Sequence, residues 1–207
     1  MAVRRGIAVV CLALLSSSCL TIGVRYVSSG VQAVVHDIDY PAPAPVAADN
    51  GLILRIRDFS CSAEYDVSNM VFVDEDGLVT KMSHNRWAAN PATLLGDLLC
   101  RDLVTEEQFL GIYRRTPIYG DDLVLEGHLR EFGARETDGS WRAVLEIEVI
   151  LLESARGTII FQEPYVFSAP IDSTGDFRSL ADGMSGLVRQ WSESVRSDLR
   201  AIYGAPR

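Results

Sequence analysis

The chain has 207 residues, with 19 Lys+Arg against 28 Asp+Glu and a formal charge of −9. An acidic balance of this kind is repelled by nucleic acid and anionic headgroups, which excludes polyanion recognition and polybasic membrane contact as its working principle. The length suffices for one buried core and is short for two.

At the start of the chain, Arg4 and Arg5 precede an apolar run over residues 6–15, followed by Ser16, Ser17, Ser18 and Cys19. This is the charged, apolar and small-residue order of a secretory signal, and the apolar run is too short to span a bilayer as a mature helix. Small residues directly before a cysteine point to a bacterial lipoprotein signal over residues 1–18, in which Cys19 is acylated and becomes the first mature residue. The alternatives are ordinary cleavage after a small residue and an uncleaved anchor. Cleavage before Cys19 removes Arg4 and Arg5, taking Lys+Arg from 19 to 17 against 28 acids, so the mature formal charge becomes −11. Leu20 in place of an aspartate after the cysteine fits sorting to the outer membrane, on its periplasmic side. The expected membrane attachment is therefore the covalent lipid on Cys19, with no other cofactor.

Residues 19–50 are mostly small, β-branched or proline-containing and end in alternating Pro-Ala, which favours extended chain. They predict a tether, within which residues 31–39 can pair as an edge strand. Residues 51–207 predict the folded domain. Its first strand covers residues 52–57, with Leu52, Leu54 and Ile56 facing one way and Ile53, Arg55 and Arg57 the other. Residues 70–73 and 78–82 are apolar or β-branched runs joined by Asp74-Glu75-Asp76-Gly77, a strong hairpin signal. A helix follows, with Asn90 as its cap and Pro91 at its first position. Leu94, Leu95, Leu98, Leu99 and Leu103 form its apolar stripe, opposite Thr93, Asp97 and Arg101.

Beyond a short candidate strand at residues 109–113, three long strands are expected over residues 123–132, 141–152 and 159–169, joined by hairpin-like Thr137-Asp-Gly-Ser and Ser154-Ala-Arg-Gly. A final helix carries Phe177, Leu180, Met184, Leu187, Val188, Trp191, Val195, Leu199 and Ile202 within one stripe and would run roughly 38 Å. The expected fold is an α/β two-layer sandwich, a mainly antiparallel sheet with two helices packed on one face. Its other face would be wet and display Glu126, His128, Arg130, Glu146, Glu148 and Gln162, a candidate partner surface.

Cys61 and Cys100 share an oxidising compartment and either form a disulfide or stay two separate thiols. His36, His84 and His128 belong to no catalytic motif, and His84 is expected in a loop beside Arg86 and Trp87, which lock the turn into the helix. No two histidines share a metal-binding spacing, so no metal site is expected.

The order of a signal, a Pro/Ala stretch after Tyr40-Pro41, Tyr65, Met70-Val71-Phe72, Arg86-Trp87-Ala88-Ala89-Asn90-Pro91 and a leucine helix resembles the ABC-type transport auxiliary lipoprotein family, the PqiC-like proteins. The specific part spans residues 65–103. The resemblance implies a non-enzymatic, outer-membrane-anchored component of a phospholipid transport system with a mammalian-cell-entry (MCE) domain protein as partner. It would dock to, or complete, a lipid conduit, a role that a homo-oligomeric ring would suit. The alternatives are a lipoprotein that scaffolds another envelope assembly without handling lipid and, from a different class, a hydrolase of envelope substrates centred on His84.

Overall fold

One long strand organises the sheet. In the computed structural model, which describes residues 32–45, 50–115, 120–172 and 176–203, this strand is β7 (Leu123–Thr137). Along one edge it pairs antiparallel with β8 (Ser140–Glu153), which pairs antiparallel with β9 (Thr158–Pro170). Asp138 and Gly139 both take positive φ between β7 and β8, the two-residue turn whose twist matches the flanking strands, and glycine adopts it without a Cβ clash.

Three short strands run parallel to the other edge of β7 in succession. β2 (Ile53–Ile56) sets Leu54 against Leu123, β3 (Ser60–Cys61) sets Ser60 against His128, and β4 (Asn69–Val73) sets Phe72 against Ala134. Where β4 meets β7 the backbones approach closely: a Cβ on Gly133 would lie 2.3 Å from the Val71 carbonyl oxygen, so any other residue would push the strands apart. β5 (Val79–Trp87) returns antiparallel to β4, and β1 (Val34–His36) lies parallel on its far side. β6 (Gly111–Arg114) lies parallel to β2.

The nine strands thus form one mixed sheet among the described residues: its longest pairings are antiparallel, as expected, and the parallel pairs along the other edge of β7 correct the rest of the expectation. Alternation in sequence reports which face a residue takes but not which strand lies beside it. The meander β7–β8–β9 was legible because its links are short. The parallel pairs are closed by long connections, and all of these except the one from β1 to β5 carry the first helix.

That helix, α1 (Pro91–Glu106), begins where Asn90 Oδ1 accepts from the Ala92 amide at 2.9 Å, with Pro91 at the first position. It ends as Glu107 turns left-handed and donates its N–H to Val104. The second, α2 (Phe177–Tyr203), starts at Asp176, whose Oδ1 accepts from the Arg178 and Ser179 amides at 3.1 and 3.0 Å. Both helices cover the same face of the sheet. Leu95, Leu99 and Leu103 from α1, and Leu180, Met184, Trp191, Val195 and Leu199 from α2, are completely buried with Leu125, Leu129, Phe132, Leu145, Ile147 and Val149 of the sheet. No helix among the described residues is long and apolar enough to cross a membrane.

Two sequence expectations need correction, and one open alternative is decided. His84, Arg86 and Trp87 belong to β5 and not to a loop: the strand continues to the last residues before the helix because β1 pairs with that end, setting Val35 against Arg86 and His36 against Trp87. The supposed tether is not all free chain. Within it Ile38 and Tyr40 are buried in the core, since two large apolar side chains gain more from burial than the extended backbone gains from water. Cys61 and Cys100 are separate free thiols, on β3 and α1, in different surroundings: Glu64 and Asp66 act on the first, Arg114 and Asp97 on the second. The signal segment, Cys19 and the rest of the chain up to residue 31 lie outside the described residues.

Candidate functional site

The joint between β5 and α1 fixes the segment that carries the family resemblance. Trp87 is buried edge-to-face on Phe132 with ring centroids 5.1 Å apart, and Asn90 Nδ2 donates to Asp66 Oδ1 at 2.8 Å while its oxygen caps α1. Arg86 does not share in this lock, because its side chain points into solvent. The joint holds structure together and presents no open chemistry.

The outer sheet face does bring the expected polar residues together. His128 and Glu148 are direct cross-strand neighbours, and Glu148 takes hydrogen bonds from Gln162 Nε2 at 2.6 Å and Arg130 at 2.9 Å. Those donors, Gln162 first, hold its carboxyl below the usual carboxylate range. Arg57 pairs with Glu126, and Ser60 Oγ lies 2.8 Å from His128 Nδ1. A β-bulge between Leu129 and Glu131 shifts the register, so that Glu146 faces Glu131, whose charge is taken by a two-pronged Arg135 at 2.8 Å on each arm.

A hydroxyl beside an imidazole suggests nucleophilic chemistry, but the carboxylate that would orient the ring is already committed to Arg130 and Gln162. The pair instead ties β3 to β7. Nor is this face simply wet. Val166 opposes Glu146 and Ile159 opposes Leu152, and both Val166 (64 %) and Ile159 (54 %) are exposed.

A second polar assembly lies between the helices. Asp102 of α1 is completely buried; its Oδ2 accepts from Tyr40 at 2.8 Å and Ser192 of α2 at 2.6 Å, and its Oδ1 accepts from Arg101 Nε at 2.8 Å. The Arg101 guanidinium also stacks 4.4 Å above the Tyr40 ring. One turn further along α1, buried Glu106 receives Arg196 and Arg200 on the same oxygen. Burial, then the charge of Asp102, pushes the Tyr40 hydroxyl far above its ordinary pKa, so it stays a donor. The segment through Tyr40 is thereby fastened to the crossing of α1 and α2.

Comparison with known proteins locates the fold and nothing finer. No family model matches the sequence, and no curated protein matches it. The fold is shared. Protein XCC0632 from Xanthomonas campestris, a DUF330 protein, is 18 % identical over 79 % of this chain and 92 % of its own, with a TM-score of 0.71. The hypothetical protein CT253 from Chlamydia trachomatis is 12 % identical over 74 % of this chain and 97 % of its own, with a TM-score of 0.51.

The buried assembly, with Tyr40, Asp102, Glu106, Ser192 and Arg196, was missed in the sequence, although a signal was there. Asp102 sits three residues after Leu99 and Glu106 three after Leu103, while Ser192 and Arg196 directly follow Trp191 and Val195. Polar residues four apart inside the apolar stripe of each helix mark a shared buried network.

Proposed function

We propose that the chain is a lipoprotein of the bacterial envelope, anchored by acylation of Cys19 to the periplasmic side of the outer membrane. It would serve as a non-enzymatic accessory of an MCE-type phospholipid transport system, docking to the trans-envelope conduit. The observation that carries the reading is that Met70, Val71, Phe72, Trp87 and Pro91, spread along the sequence that bears the resemblance, are all buried, with Asn90 capping the helix that Pro91 opens. A fold shared with a DUF330 protein supports it at the level of architecture. The outer sheet face, where charges already paired with one another alternate with exposed Val166 and Ile159, suits protein contact better than bond-making.

The test is crosslinking and mass spectrometry on intact envelopes. The expected outcome is a crosslink to an MCE-domain protein, together with palmitate incorporation that is lost when Cys19 is replaced. An unmodified protein free in the periplasm, with no MCE crosslink, overturns the reading.

A further inference from the structure

A cleft of about 400 Å³ opens between the extended segment after Tyr40 and the outer side of α2. Pro41, Pro43 and Ala44 form one wall and α2 the other, with Glu106 at the buried end. Its outer charges are not spent on each other. Arg189 and Glu193 stand four residues apart on one helix face, the usual spacing of an ion pair, yet neither makes an ion pair or hydrogen bond with another described residue. Glu106 is 2 % exposed, and Arg196 and Arg200 both bind its Oε1, while Oε2 has no hydrogen-bond partner among the described residues. A buried carboxylate oxygen without a donor is costly, and such a group in a native fold asks for a partner.

The geometry points to a site for a small zwitterion that carries a phosphate and a primary ammonium, of the phosphoethanolamine type. The phosphate lies against the guanidinium of Arg189, whose planar fork suits its oxygens, while Arg200, about three turns further along α2, stays with Glu106. The ammonium, with three donors, turns toward Glu193 and the free oxygen of Glu106. A purely anionic ligand would leave Glu193 and the second oxygen of Glu106 unanswered, and a purely cationic one would leave Arg189 so. The proline and alanine wall takes the carbon skeleton. For the source of the ligand this rests on the lipid-handling reading; for the site itself it does not.

The experiment uses the full mature chain in detergent and reads binding by ³¹P NMR and calorimetry. Glycerophosphoethanolamine is expected to bind at least about tenfold more tightly than glycerophosphate or ethanolamine alone. The exposed-residue substitutions Arg189→Ala and Glu193→Gln are each expected to weaken it about fivefold or more while leaving the thermal midpoint unchanged. Equal affinity for the half-ligands, absence of binding at about 10 mM, or wild-type binding by both variants overturns the site. Nanodiscs of phosphatidylethanolamine and phosphatidylglycerol separate the sources. Preference for the former, weakened by Arg189→Ala, assigns a lipid headgroup; binding of the soluble compound alone keeps the site and assigns a free zwitterion. An MCE crosslink is scored separately, so the two readings fail independently.

Discussion

The molecule places charges in two settings, and the same residue types have opposite weight in them. On the outer sheet face Arg130 and Glu148 meet at 2.9 Å with the arginine side chain 52 % exposed, so water competes for both partners. Between the helices, Glu106 and Arg196 are almost wholly excluded from water. The first pair can be lost at little cost; the second cannot be half removed, because the surviving charge has no solvent to return to.

Glu106→Ala strands the Arg196 guanidinium in the interior and is expected to cost about 3–5 kcal/mol in a urea melt. Replacing both partners by leucine should recover much of that loss, and a double variant as unstable as the single one would break the contrast. Tyr40→Phe removes one donor from buried Asp102 but leaves Ser192 and Arg101 in place, so about 1–2 kcal/mol is expected. Faster amide exchange confined to residues 34–44 would show that the fastened segment, and not the whole body, is what loosens.

Three tyrosines extend the contrast to pH. Burial is the leading cause for each: Tyr65 is pushed up to about 12, and Tyr40 and Tyr165 move upward as well. Their unfolded hydroxyls ionise near 10.0, so the folded state holds the protons longer. Stability is fully present below about pH 10 and falls as pH rises toward the folded values, because only the unfolded chain releases its protons there. Urea midpoints at about pH 9 and pH 11 check this, and Tyr65→Phe should flatten the fall. The smallest effect is expected for Arg130→Ala, about 0–1 kcal/mol, and a larger loss would show that the outer pairs are not solvent-screened.

This difference also explains what the sequence made legible. The stripes of α1 and α2 and the alternation of β7, β8 and β9 are apolar periodicities, and burial enforces them directly, as Leu95, Leu99 and Leu103 illustrate. The Asp138-Gly139 turn was readable because its positive φ values demand its residues. Strand partners were not readable: β2, β3 and β4 line up along β7 by long-range pairing that leaves no local mark. Of the candidate surface, Glu126, His128, Glu146 and Glu148 were found because they alternate with buried neighbours. The aliphatics among them were not, since a Val or Ile on a strand reads as core until its face is known. The signal in Asp102 and Ser192, polar residues inside apolar stripes, is harder to read for a related reason: their value lies in each other, 90 residues apart.

Under the proposed lipid anchor, the docking of residues 34–40 on the body would limit how far that body can stand from a bilayer. Fifteen residues separate Cys19, the proposed lipid site, from Val34, where β1 joins the sheet, against the 31 that separate Cys19 from Asn50. Fully drawn out, the shorter stretch spans roughly 50 Å. β1 and the Tyr40–Asp102 bond are therefore two successive mooring points: only release of both would let the body drift to about twice that height, changing which neighbours it could reach.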